Sequence, residues 1–528
     1  MLTFYSLFTL LHLLPTAALA AAGGGGGATS PCETSCHPTH CMSFISNLQS
    51  SSIPPDNYSL AAVDQSLTIT RSTAHFLNQA GRVGPAVEDC LELTAAAADD
   101  LELVKEKLMS SKAIKAAEAD DVMTLMSAVV AGAGSCLDGL EEVGMAGGEV
   151  FRRVEAAKLV YGVALGLVER RLASMAAAPA VITNGRPTNK SSTIGSLIMN
   201  IPFDQTVTVA KDGSGNFTSV NDAITFASHS TRSSSTFFKI IVKPDIYVEN
   251  VVVPKRLTGL VLEGSGMRQT FITGNRSAGD GYTTYQTATF AVNGDRFIAT
   301  GITFENTALP QNKQAVAVRN SADRSIFYKC RFISFQDTLY AHSKRHLYLH
   351  STIHGTVDFI FGRAAAVFQF CEILPRRPLP KQINTITAQG KDCPNIRSGF
   401  SIHLSSILPG KDLIDKSDLF YTYLGRPWKN YSTTVFMQCY MDGFVRPEGW
   451  VEWGEEVAPR TIFYGEFENY GGGAGTDRRV RWEGYRRMGK EDAERFTVGE
   501  FIGGDEWIWN HSVPYRSGLL DSDNIGRE

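Results

Sequence analysis

The 528-residue sequence has little net charge and, beyond its first twenty residues, no run of eighteen apolar residues. The formal net charge is −4, which does not indicate a nucleic-acid partner or a strongly basic surface. A helix that spans a bilayer needs about 20 consecutive, mostly apolar residues. We therefore expect no nucleic-acid binding and no membrane span in the mature protein.

The first twenty residues are the exception and have the pattern of a secretory signal peptide. Their apolar stretch LFTLLHLLPTAALA ends in the small-residue pattern Ala18-Leu19-Ala20 and is too short to span a bilayer. We interpret residues 1–20 as a signal peptide and expect a soluble, secreted protein. Asn-x-Ser/Thr sequons agree with this route and lie at Asn57, Asn189, Asn216, Asn275, Asn430 and Asn510.

Cysteine is scarce and odd in number. With nine cysteines, at least one lacks an intramolecular partner. Secretion permits disulfides, and the spacing suggests Cys32 with Cys41 and Cys90 with Cys136. Cys36 lies between the first two, which leaves that pairing open.

Proline is almost absent from the residues between Pro55 and position 172, and alanine is abundant there. Apolar residues recur at helical spacing, and this predicts an all-α bundle of about four amphipathic helices over residues 30–172. The stretch has no compact set of catalytic residue types, so we expect a binding or regulatory module. The apolar positions are Leu101, Val104, Leu108, Val122, Leu125, Met126, Val129, Val130, Val160, Val163 and Leu167.

Residues 173–202 are rich in Ala, Ser, Thr, Asn, Pro and Gly and are predicted to be a linker. The dibasic pair Arg170-Arg171 precedes them. Basic residues there fit an ordinary helix C-terminus, but they also fit a cleavage site for a secretory-pathway protease at a domain boundary. Both interpretations stay open.

From residue 203 onward the long helical pattern is missing, and short apolar strands alternate with turns. Three of them begin with similar tripeptides at Cys330, Ser351 and Cys371, which are 21 and 20 residues apart. A repeat of that length predicts a parallel β-helix whose coils stack. A sandwich would also give short strands, but it would not explain the steady period.

The same period places polar residues on consecutive coils. Gln314, Gln336 and Asp358 are spaced by 22 residues, and Asp337 precedes Asp358 by 21. Stacked strands lie about 4.8 Å apart. Two carboxylates at that distance cannot both ionise cheaply, so they provide an acid and a nucleophile or base. Glutamine amides can donate hydrogen bonds to an oxyanion.

The motif LGRPW adds Arg426, whose guanidinium can hold an aspartate ionised and oriented. Trp428 and Tyr340 provide flat faces for sugar rings. Because no Ser-His-Asp set is evident, we expect acyl transfer at an aspartate. No metal is expected at the four histidines spaced by four, because four strand residues span about 13 Å; they are His342, His346, His350 and His354.

Several motifs in one order resemble the plant pectin methylesterases, or pectinesterases, over about residues 205–520. They are QAVAV (314–318), QDTL (336–339), DFIFG (358–362) and LGRPW (424–428), with KDGSGNF, TTYQTATFAV, GITFENTA, TAQG and FTVGEFIGGDEWI in support. Residues 32–172 are similar to the helical inhibitor-type domain that precedes the catalytic domain in one pectinesterase group.

The resemblance implies an all-β, right-handed parallel β-helix over residues 203–528, preceded by the four-helix bundle. It makes Asp358 the nucleophile toward a C6 methyl ester of homogalacturonan and Asp337 the proton donor. Gln336 and Gln314 would stabilise the oxyanion. The substrate-binding residues implied are Thr284, Gln314, Arg426 and Trp428.

The resemblance implies no metal or cofactor, and its partner is pectin in the extracellular plant cell wall. It also implies processing by a subtilisin-like protease and intramolecular inhibition by the helical domain.

The sequence departs from the family's pattern at a few places. Asp245 stands where a glycine is usual, and Ser351 replaces a cysteine that would pair with Cys371, so Cys371 is expected to be free. Ser405 also replaces a frequent cysteine. The dibasic motif reads RRLA without the usual second leucine.

Two other functions stay open. Carboxylates about 5 Å apart also suit a retaining, polygalacturonase-like glycosidase. A non-catalytic pectin-binding or inhibitory protein is the other alternative.

Overall fold

A computed structural model describes residues 30–33, 35–79, 84–110, 114–176, 201–230, 236–454, 460–508, 513–521 and 523. The predicted signal peptide, most of the predicted linker, and the sequons at Asn189 and Asn510 lie outside these residues. The other four sequon asparagines are exposed.

Long helices form the first part of the described chain, which we call the helical domain. The apolar positions predicted above face its interior, except that Val160 is only half-buried. Prolines begin two of the helices, where the missing N–H costs no hydrogen bond. The helices are α1 (Pro38–Ser50), α2 (Tyr58–Gln79), α3 (Pro85–Ser110), α4 (Ala116–Glu142) and α5 (Glu149–Ala176).

The α4 helix is the buried centre of this domain. It is long and apolar enough to cross a membrane, with a mean hydropathy of 1.4, but 89% of that apolar window is buried inside the protein. Such burial is typical of a core helix in a bundle.

The dibasic pair lies inside α5, which continues past residue 172 to Ala176. The guanidinium of Arg171 donates to Ser59 Oγ at 3.2 Å and to the carbonyl of Leu108 at 3.1 Å.

Both predicted disulfides are present, Cys32–Cys41 and Cys90–Cys136, and the second joins α3 to α4. A third disulfide, which the sequence did not predict, joins Cys36 to Cys393 at a sequence separation of 357 residues. The helical domain is therefore covalently tied to the later part of the chain. Cys371 is free, as expected, and so are Cys330 and Cys439.

The second part of the described chain is a parallel β-helix, which confirms the predicted fold class. Its strands are short, and a helix α6 (Val220–His229) packs near its first coil. The strands are β1 (Phe203–Val209), β2 (Phe237–Val242), β3 (Asp245–Val248), β4 (Val251–Val253), β5 (Leu260–Gly264), β6 (Thr270–Gly274), β7 (Phe290–Val292), β8 (Ile298–Thr300), β9 (Thr303–Asn306), β10 (Val318–Asn320), β11 (Ser325–Tyr328), β12 (Arg331–Ile333), β13 (Leu339–Ala341), β14 (Arg345–Leu349), β15 (Thr352–Gly355), β16 (Ile360–Gly362), β17 (Ala365–Gln369), β18 (Glu372–Pro375), β19 (Asn384–Gln389), β20 (Gly399–His403), β21 (Ser406–Ile407), β22 (Thr422–Gly425), β23 (Thr433–Met437), β24 (Tyr440–Met441), β25 (Phe463–Phe467) and β26 (Tyr485–Arg487).

Successive coils contribute one strand to each of three parallel sheets. The first sheet has the order β1-β2-β5-β8-β11-β14-β17-β20-β23-β25-β26, the second β3-β6-β9-β12-β15-β18-β21-β24, and the third β4-β7-β10-β13-β16-β19-β22. Three short helices follow, α7 (Lys490–Glu494), α8 (Val498–Phe501) and α9 (Gly504–Trp507). All three contribute residues to small cores that pack on the first sheet.

The turn from the first sheet to the second repeats a left-handed residue on successive coils. These residues have φ between 47° and 54° although none is glycine, and the stacked coils hold them in that conformation. They are Lys329, His350, Phe370, Leu404, Gln438 and Glu468.

The tripeptides that predicted the repeat do form one column at the start of the second sheet. Cys330 N donates to Ser351 Oγ at 3.1 Å, and Cys371 N donates to Ser405 Oγ at 3.0 Å. The serines thus accept backbone hydrogen bonds at the positions where the resemblance implies cysteines. Asp245 does not have a positive φ and simply opens β3, so a side chain is accommodated there.

Aromatic side chains fill the interior of the coils. Tyr348 stacks on Phe327 and Phe368 with ring centroids 5.3 and 4.7 Å apart. This core contains residues of the β-helix only, from Val207 to Tyr485. The helical domain does not complete it.

Candidate active site

Two aspartates lie one above the other, just before strands of the third sheet. Asp337 precedes β13 and Asp358 precedes β16, and these strands pair with Leu339 opposite Ile360, 21 residues apart. The register continues through the aspartates, since Asp337 N donates to the carbonyl of Val357 at 3.1 Å. Asp337 has φ 63° and Asp358 has φ 51°. Aspartate tolerates this left-handed region better than most residues.

Asp358 is held on both carboxylate oxygens. Arg426 donates from Nε to Oδ1 at 2.8 Å and from Nη2 to Oδ2 at 2.6 Å. Thr385 Oγ1 donates to Oδ1 at 2.6 Å and accepts the backbone N–H of Asp358 at 2.8 Å. A bidentate guanidinium fixes the plane of the carboxylate. This explains how a carboxylate is accommodated in the apolar run from Val357 to Phe361.

Asp337 has the opposite environment. Burial raises the pKa of Asp337 well above its ordinary value, and the negative charges of Asp358 and then Glu142 raise it further. The charge of Arg426 acts the other way but is the smallest of the four influences. The two carboxyl groups thus have different surroundings: the pKa of Asp337 is raised, and Asp358 has a guanidinium partner.

All seven residues predicted for the site line one cavity of about 170 Å³: Thr284, Gln314, Gln336, Asp337, Asp358, Arg426 and Trp428. The coil is 21 residues long here, so the two glutamines, 22 residues apart, are one residue out of register and do not form one vertical column. Among the described residues, no hydrogen-bond partner occupies either glutamine amide. Both amides are available to a ligand.

Aromatic rings form one wall of the cavity, and the sequence predicted only part of it. Tyr340 stacks on Phe361 at 4.2 Å, and Phe361 lies 6.1 Å from Trp428. Phe361 stands opposite Tyr340 in the 21-residue register, and that spacing would have revealed it. Tyr285 and Trp453 also line the cavity, but no repeat spacing marks them.

The helical domain closes the other side of this cavity through α4. Ser135, Asp138, Gly139 and Glu142 line the cavity together with the two aspartates. The backbone N–H of Thr284 donates to Glu142 Oε2 at 2.8 Å. Small residues permit the close approach, since a Cβ on Gly134 would lie 3.2 Å from Arg363 Cζ. The sequence signal was the i, i+4 pair of acids, Asp138 and Glu142, at the end of an apolar helix.

Charge complementarity extends over the whole contact between the two parts. The acids come from the helical domain and the bases from the β-helix in all but one cross-domain ion pair described. The pairs are Asp99–Lys255, Asp100–Lys255, Glu92–Arg319, Asp121–Arg324, Asp100–Lys344, Asp120–Arg345, Asp121–Arg345, Asp138–Arg363 and Asp138–Lys429, and Lys158–Asp392 is the reversed one.

The four histidines spaced by four lie on different parts of two coils. His346 is in β14 of the first sheet and His354 in β15 of the second, while His342 and His350 are in turns. Within the described ranges, no group of three or more potential metal ligands occurs.

Comparison with known sequence families gives two matches. The model of the family described as Pectinesterase matches residues 206–505, and the one described as Plant invertase/pectin methylesterase inhibitor matches residues 29–167. A relative from Arabidopsis thaliana, "Probable pectinesterase/pectinesterase inhibitor 7", is 49% identical over 62% of this chain, an alignment that spans 56% of that protein's own length. "Probable pectinesterase/pectinesterase inhibitor 25", also from Arabidopsis thaliana, is 37% identical over 93% of this chain and 87% of its own.

Two solved structures of pectin methylesterases are also similar to this chain. Pectin methylesterase from carrot is 42% identical, with a TM-score of 0.58, and is covered over 100% of its length by 62% of this chain. Pectin methylesterase from Aspergillus niger is 26% identical, with a TM-score of 0.50, over 57% of this chain and 95% of its own. With a family match over more than half of its length, the chain belongs to the pectinesterase family.

Proposed function

We propose that this chain hydrolyses the C6 methyl esters of homogalacturonan, releasing methanol, through an acyl-enzyme on Asp358. The observation that carries the proposal is a pair of neighbouring aspartates in different electrostatic surroundings. Asp358 is clamped by Arg426, and Asp337, one coil away, has a raised pKa. A carboxylate nucleophile and a neutral carboxylic acid thus share one cavity.

In the first half of the reaction, an Asp358 oxygen attacks the carbonyl carbon of the ester. Negative charge develops on the carbonyl oxygen, and the amides of Gln314 and Gln336 donate hydrogen bonds to it. Asp337 gives its proton to the departing methoxy oxygen, so methanol leaves neutral and a mixed anhydride remains on Asp358. In the second half, Asp337 takes a proton from water, which attacks the anhydride and restores both aspartates.

Arg426 has two roles in this proposal. It holds Asp358 in one orientation, and with Trp428 and Thr284 it borders the sugar track. The guanidinium lies over the ring of Trp453 at 4.1 Å, which fixes its plane. Trp428 and Phe361 offer apolar faces to the sugar rings.

We further infer that the helical domain inhibits the same chain. A polysaccharide cannot enter while α4 lines the cavity with Asp138 and Glu142. Separation of the two parts is therefore required for activity, and cleavage by a subtilisin-like protease after Arg171 is one step toward it, since the disulfide between Cys36 and Cys393 still joins them. Because Arg171 is bonded inside α5, that cleavage requires the last turns of α5 to unwind. The site of action is the extracellular cell wall, where the substrate occurs.

The test uses residues 185–528, whose main core contains no residue of the helical domain. The carrot protein, matched over its whole length by 62% of this chain, shows that such a fold exists alone in a relative. This fragment is expected to release methanol from highly methylated pectin, and Asp358→Asn to abolish the release. If the variant turns over as fast as the parent, the assigned nucleophile is wrong.

Two other outcomes distinguish the alternatives. New reducing ends without methanol indicate a glycosidase. Pectin binding without either product indicates a non-catalytic wall protein.

A further inference from the structure

The two carboxylate oxygens of Asp358 accept unequal numbers of hydrogen bonds. Oδ1 accepts from Arg426 Nε at 2.8 Å and from Thr385 Oγ1 at 2.6 Å. Oδ2 accepts from Arg426 Nη2 at 2.6 Å, and no second donor from the described residues reaches it. A carboxylate has about two lone-pair sites on each oxygen. Both sites of Oδ1 are therefore filled, whereas Oδ2 keeps one for a ligand.

The hydroxyl of Thr385 has its single proton committed to that carboxylate. Thr385 Oγ1 accepts the backbone N–H of Asp358 at 2.8 Å, so its own proton is left for Oδ1. One side chain thus bonds both the backbone and the carboxylate of Asp358 and fixes one relative to the other. Asp358 has φ 51°, and because most side chains avoid this left-handed region, bonds from a neighbouring coil help to hold it there.

Thr385 is itself held firmly and does not line the cavity. It is fully buried in β19. Its backbone N–H donates to the carbonyl of Thr356 at 3.2 Å, and its carbonyl accepts the N–H of Phe359 at 3.3 Å. The described residues that line the cavity include Asp358 and Arg426 but not Thr385. An effect of Thr385 on the reaction must therefore act through Asp358.

We propose that Oδ2 of Asp358 is the atom that attacks the ester, and that Thr385 is the positioning residue that reserves it by occupying Oδ1. The inference rests on the proposed function. It adds the identity of the attacking atom and of the residue that selects it.

The first half of the reaction then takes place on one oxygen. A bond forms between Oδ2 and the carbonyl carbon, and the carbonyl electron pair moves to the carbonyl oxygen. When that pair returns, the bond to the methoxy oxygen breaks, and the proton of Asp337 goes to that oxygen, so methanol leaves. Oδ1 becomes the aspartyl carbonyl oxygen of the anhydride and keeps its donors Thr385 and Arg426. The aspartyl group thus stays in place for the attack of water.

The test compares Thr385→Val with Thr385→Ser in the 185–528 fragment, in a Cys393→Ser background that removes the thiol left without its partner. Valine has the shape of threonine but no hydroxyl, so the charge-assisted hydrogen bond to Oδ1 is lost. We expect kcat for methanol release to fall by roughly ten- to a hundredfold, with KM unchanged because Thr385 does not line the cavity. Serine keeps the hydroxyl and should restore most of kcat.

Thr270→Val is the matched control. Thr270 is also fully buried, and its Oγ1 accepts the N–H of Ser265 at 3.0 Å and donates to the carbonyl of Val242 at 3.2 Å. It lies in β6 and is not among the described residues that line the cavity. The substitution removes two hydrogen bonds of a comparable kind and should lower the melting temperature without changing kcat.

Equal kcat values in Thr385→Val and Thr270→Val would overturn the role of Thr385. A serine variant as slow as the valine variant would overturn it too, because the hydroxyl would then not be the cause. Melting curves identify a valine variant that fails to fold, and Thr385→Ala then takes its place.

A structure of the Asp337→Asn fragment with a bound methyl-esterified oligogalacturonide tests the attacking atom. The ester carbon should lie nearer to Oδ2 of Asp358 than to Oδ1, at about 3–3.5 Å. A carbon nearer to Oδ1 would overturn the assignment. A parent fragment that releases no methanol refutes the proposed function itself, and this inference with it.

A separate observation, the disulfide between Cys36 and Cys393, leads to a second inference. Cys36 lies before α1 and Cys393 is buried beyond the end of β19, with Cα atoms 5.3 Å apart. The other two disulfides each join cysteines within the helical domain. We infer that reduction of this one bond is required to release the helical domain after the linker is cut.

The reductant is a dithiol protein or a small thiol. Cys393 is only 3% exposed, whereas Cys36 is half-buried. The attacking thiolate therefore reaches the Cys36 sulfur and displaces Cys393 as a thiolate. A second thiol resolves the mixed disulfide. Two electrons reduce the cystine to two thiols, while the reductant becomes a disulfide.

The full chain, with a protease site placed in the linker, provides the test. After cutting, a denaturing gel without reductant should show one species, and a gel with reductant two. Cys36→Ser should give two species in both gels. Two species from the cut parent without reductant would overturn the inference.

The folded, cut chain is also incubated with dithiothreitol and alkylated before the gel without reductant. It should then give two species. One species there would overturn the attack at Cys36.

Discussion

The clamp on Asp358 makes a sharp prediction for Arg426→Lys in the 185–528 fragment. Arginine holds both carboxylate oxygens, at 2.8 and 2.6 Å. Lysine keeps the positive charge but is a point donor on a flexible stem and cannot form the planar fork. The variant therefore separates the orientation of Asp358 from its neutralisation.

The expected magnitude follows from the one charge-assisted hydrogen bond that is lost. Such a bond contributes about 1.5–3 kcal/mol, and each 1.36 kcal/mol is about tenfold in rate. We expect kcat to fall roughly ten- to a hundredfold. Arg426→Ala removes both of these hydrogen bonds, about 3–6 kcal/mol together. We expect a loss on the order of a thousandfold there.

The assay is initial methanol release at saturating substrate and fixed pH. Arg446→Lys is the matched control, because Arg446 also pairs with a carboxylate, Glu448 at 3.3 Å, but on the exposed surface. It should retain the parental rate. An Arg426→Lys variant within twofold of the parent would refute the orienting role. A rise in KM with unchanged kcat would instead make Arg426 only a substrate ligand.

Three further predictions concern the contact between the two parts and the β-helix itself. Asp138→Asn removes the charge that meets Arg363 and Lys429, so in a Cys36→Ser chain with a cut linker methanol release should rise above that of the same chain with Asp138, and an unchanged rate would contradict the inhibition. Burial raises the pKa of Asp89 from 3.8 to about 7 in the contact, so docking costs an increasing amount as the pH rises through that window. The measurement is size-exclusion chromatography of a Cys36→Ser chain after linker cleavage, between pH 6.5 and 8, which is above the range where His37 and His342 would protonate and oppose docking. The two parts should dissociate increasingly as the pH rises, and less steeply in Asp89→Asn. Dissociation that is stronger at the acidic end would contradict this sign. Gly362→Ala should lower the free energy of unfolding of the fragment by more than about 1 kcal/mol in chemical denaturation, because φ is 125° and a Cβ would lie 2.0 Å from the Ala341 carbonyl oxygen. The control Gly443→Ala, where a Cβ would meet no atom closer than 4.0 Å, should leave the denaturation midpoint unchanged.

The central coils could be predicted from the sequence because their length is nearly constant. Strand pairing fixes Val318 opposite Leu339 and Leu339 opposite Ile360. Residues 21 apart in these strands of the third sheet therefore lie one above the other, and the aspartate pair follows from that spacing alone. The roles of the two aspartates followed less directly, because they depend on Arg426 and Thr385, which come from later coils.

The outer coils could not be predicted in the same way. Cys371 and Ser405 occupy the same column as Cys330 and Ser351, yet they are 34 residues apart. Insertions between the strands lengthen these coils without changing their cross-section. The repeat then cannot be recognised from the spacing of residues in the sequence, although the strands stay in register.

The contact between the helical domain and the β-helix also could not be predicted from the sequence. Helical periodicity places Asp138 and Glu142 at the end of an apolar helix, where acids usually face solvent, and does not show which surface covers that end. Cys36 had no evident partner for the same reason, because Cys393 lies 357 residues away. Local patterns determine what each part can bury but not how two parts meet.

One physical feature connects the inhibition to the proposed catalysis. A cleft for a polyuronate must present cations beside its acids, and the helical domain is anchored largely through acids that meet cations of the β-helix face. Asp138 pairs with Arg363 and Lys429, while Glu142 accepts a backbone N–H of Thr284 and raises the pKa of Asp337. The docked helix thus brings one acid to the cations of the β-helix face and a second acid into the cavity beside the two aspartates. Inhibitor and substrate therefore compete for the same cavity, and a face that attracts a polyuronate is also one that an acidic helix can hold closed.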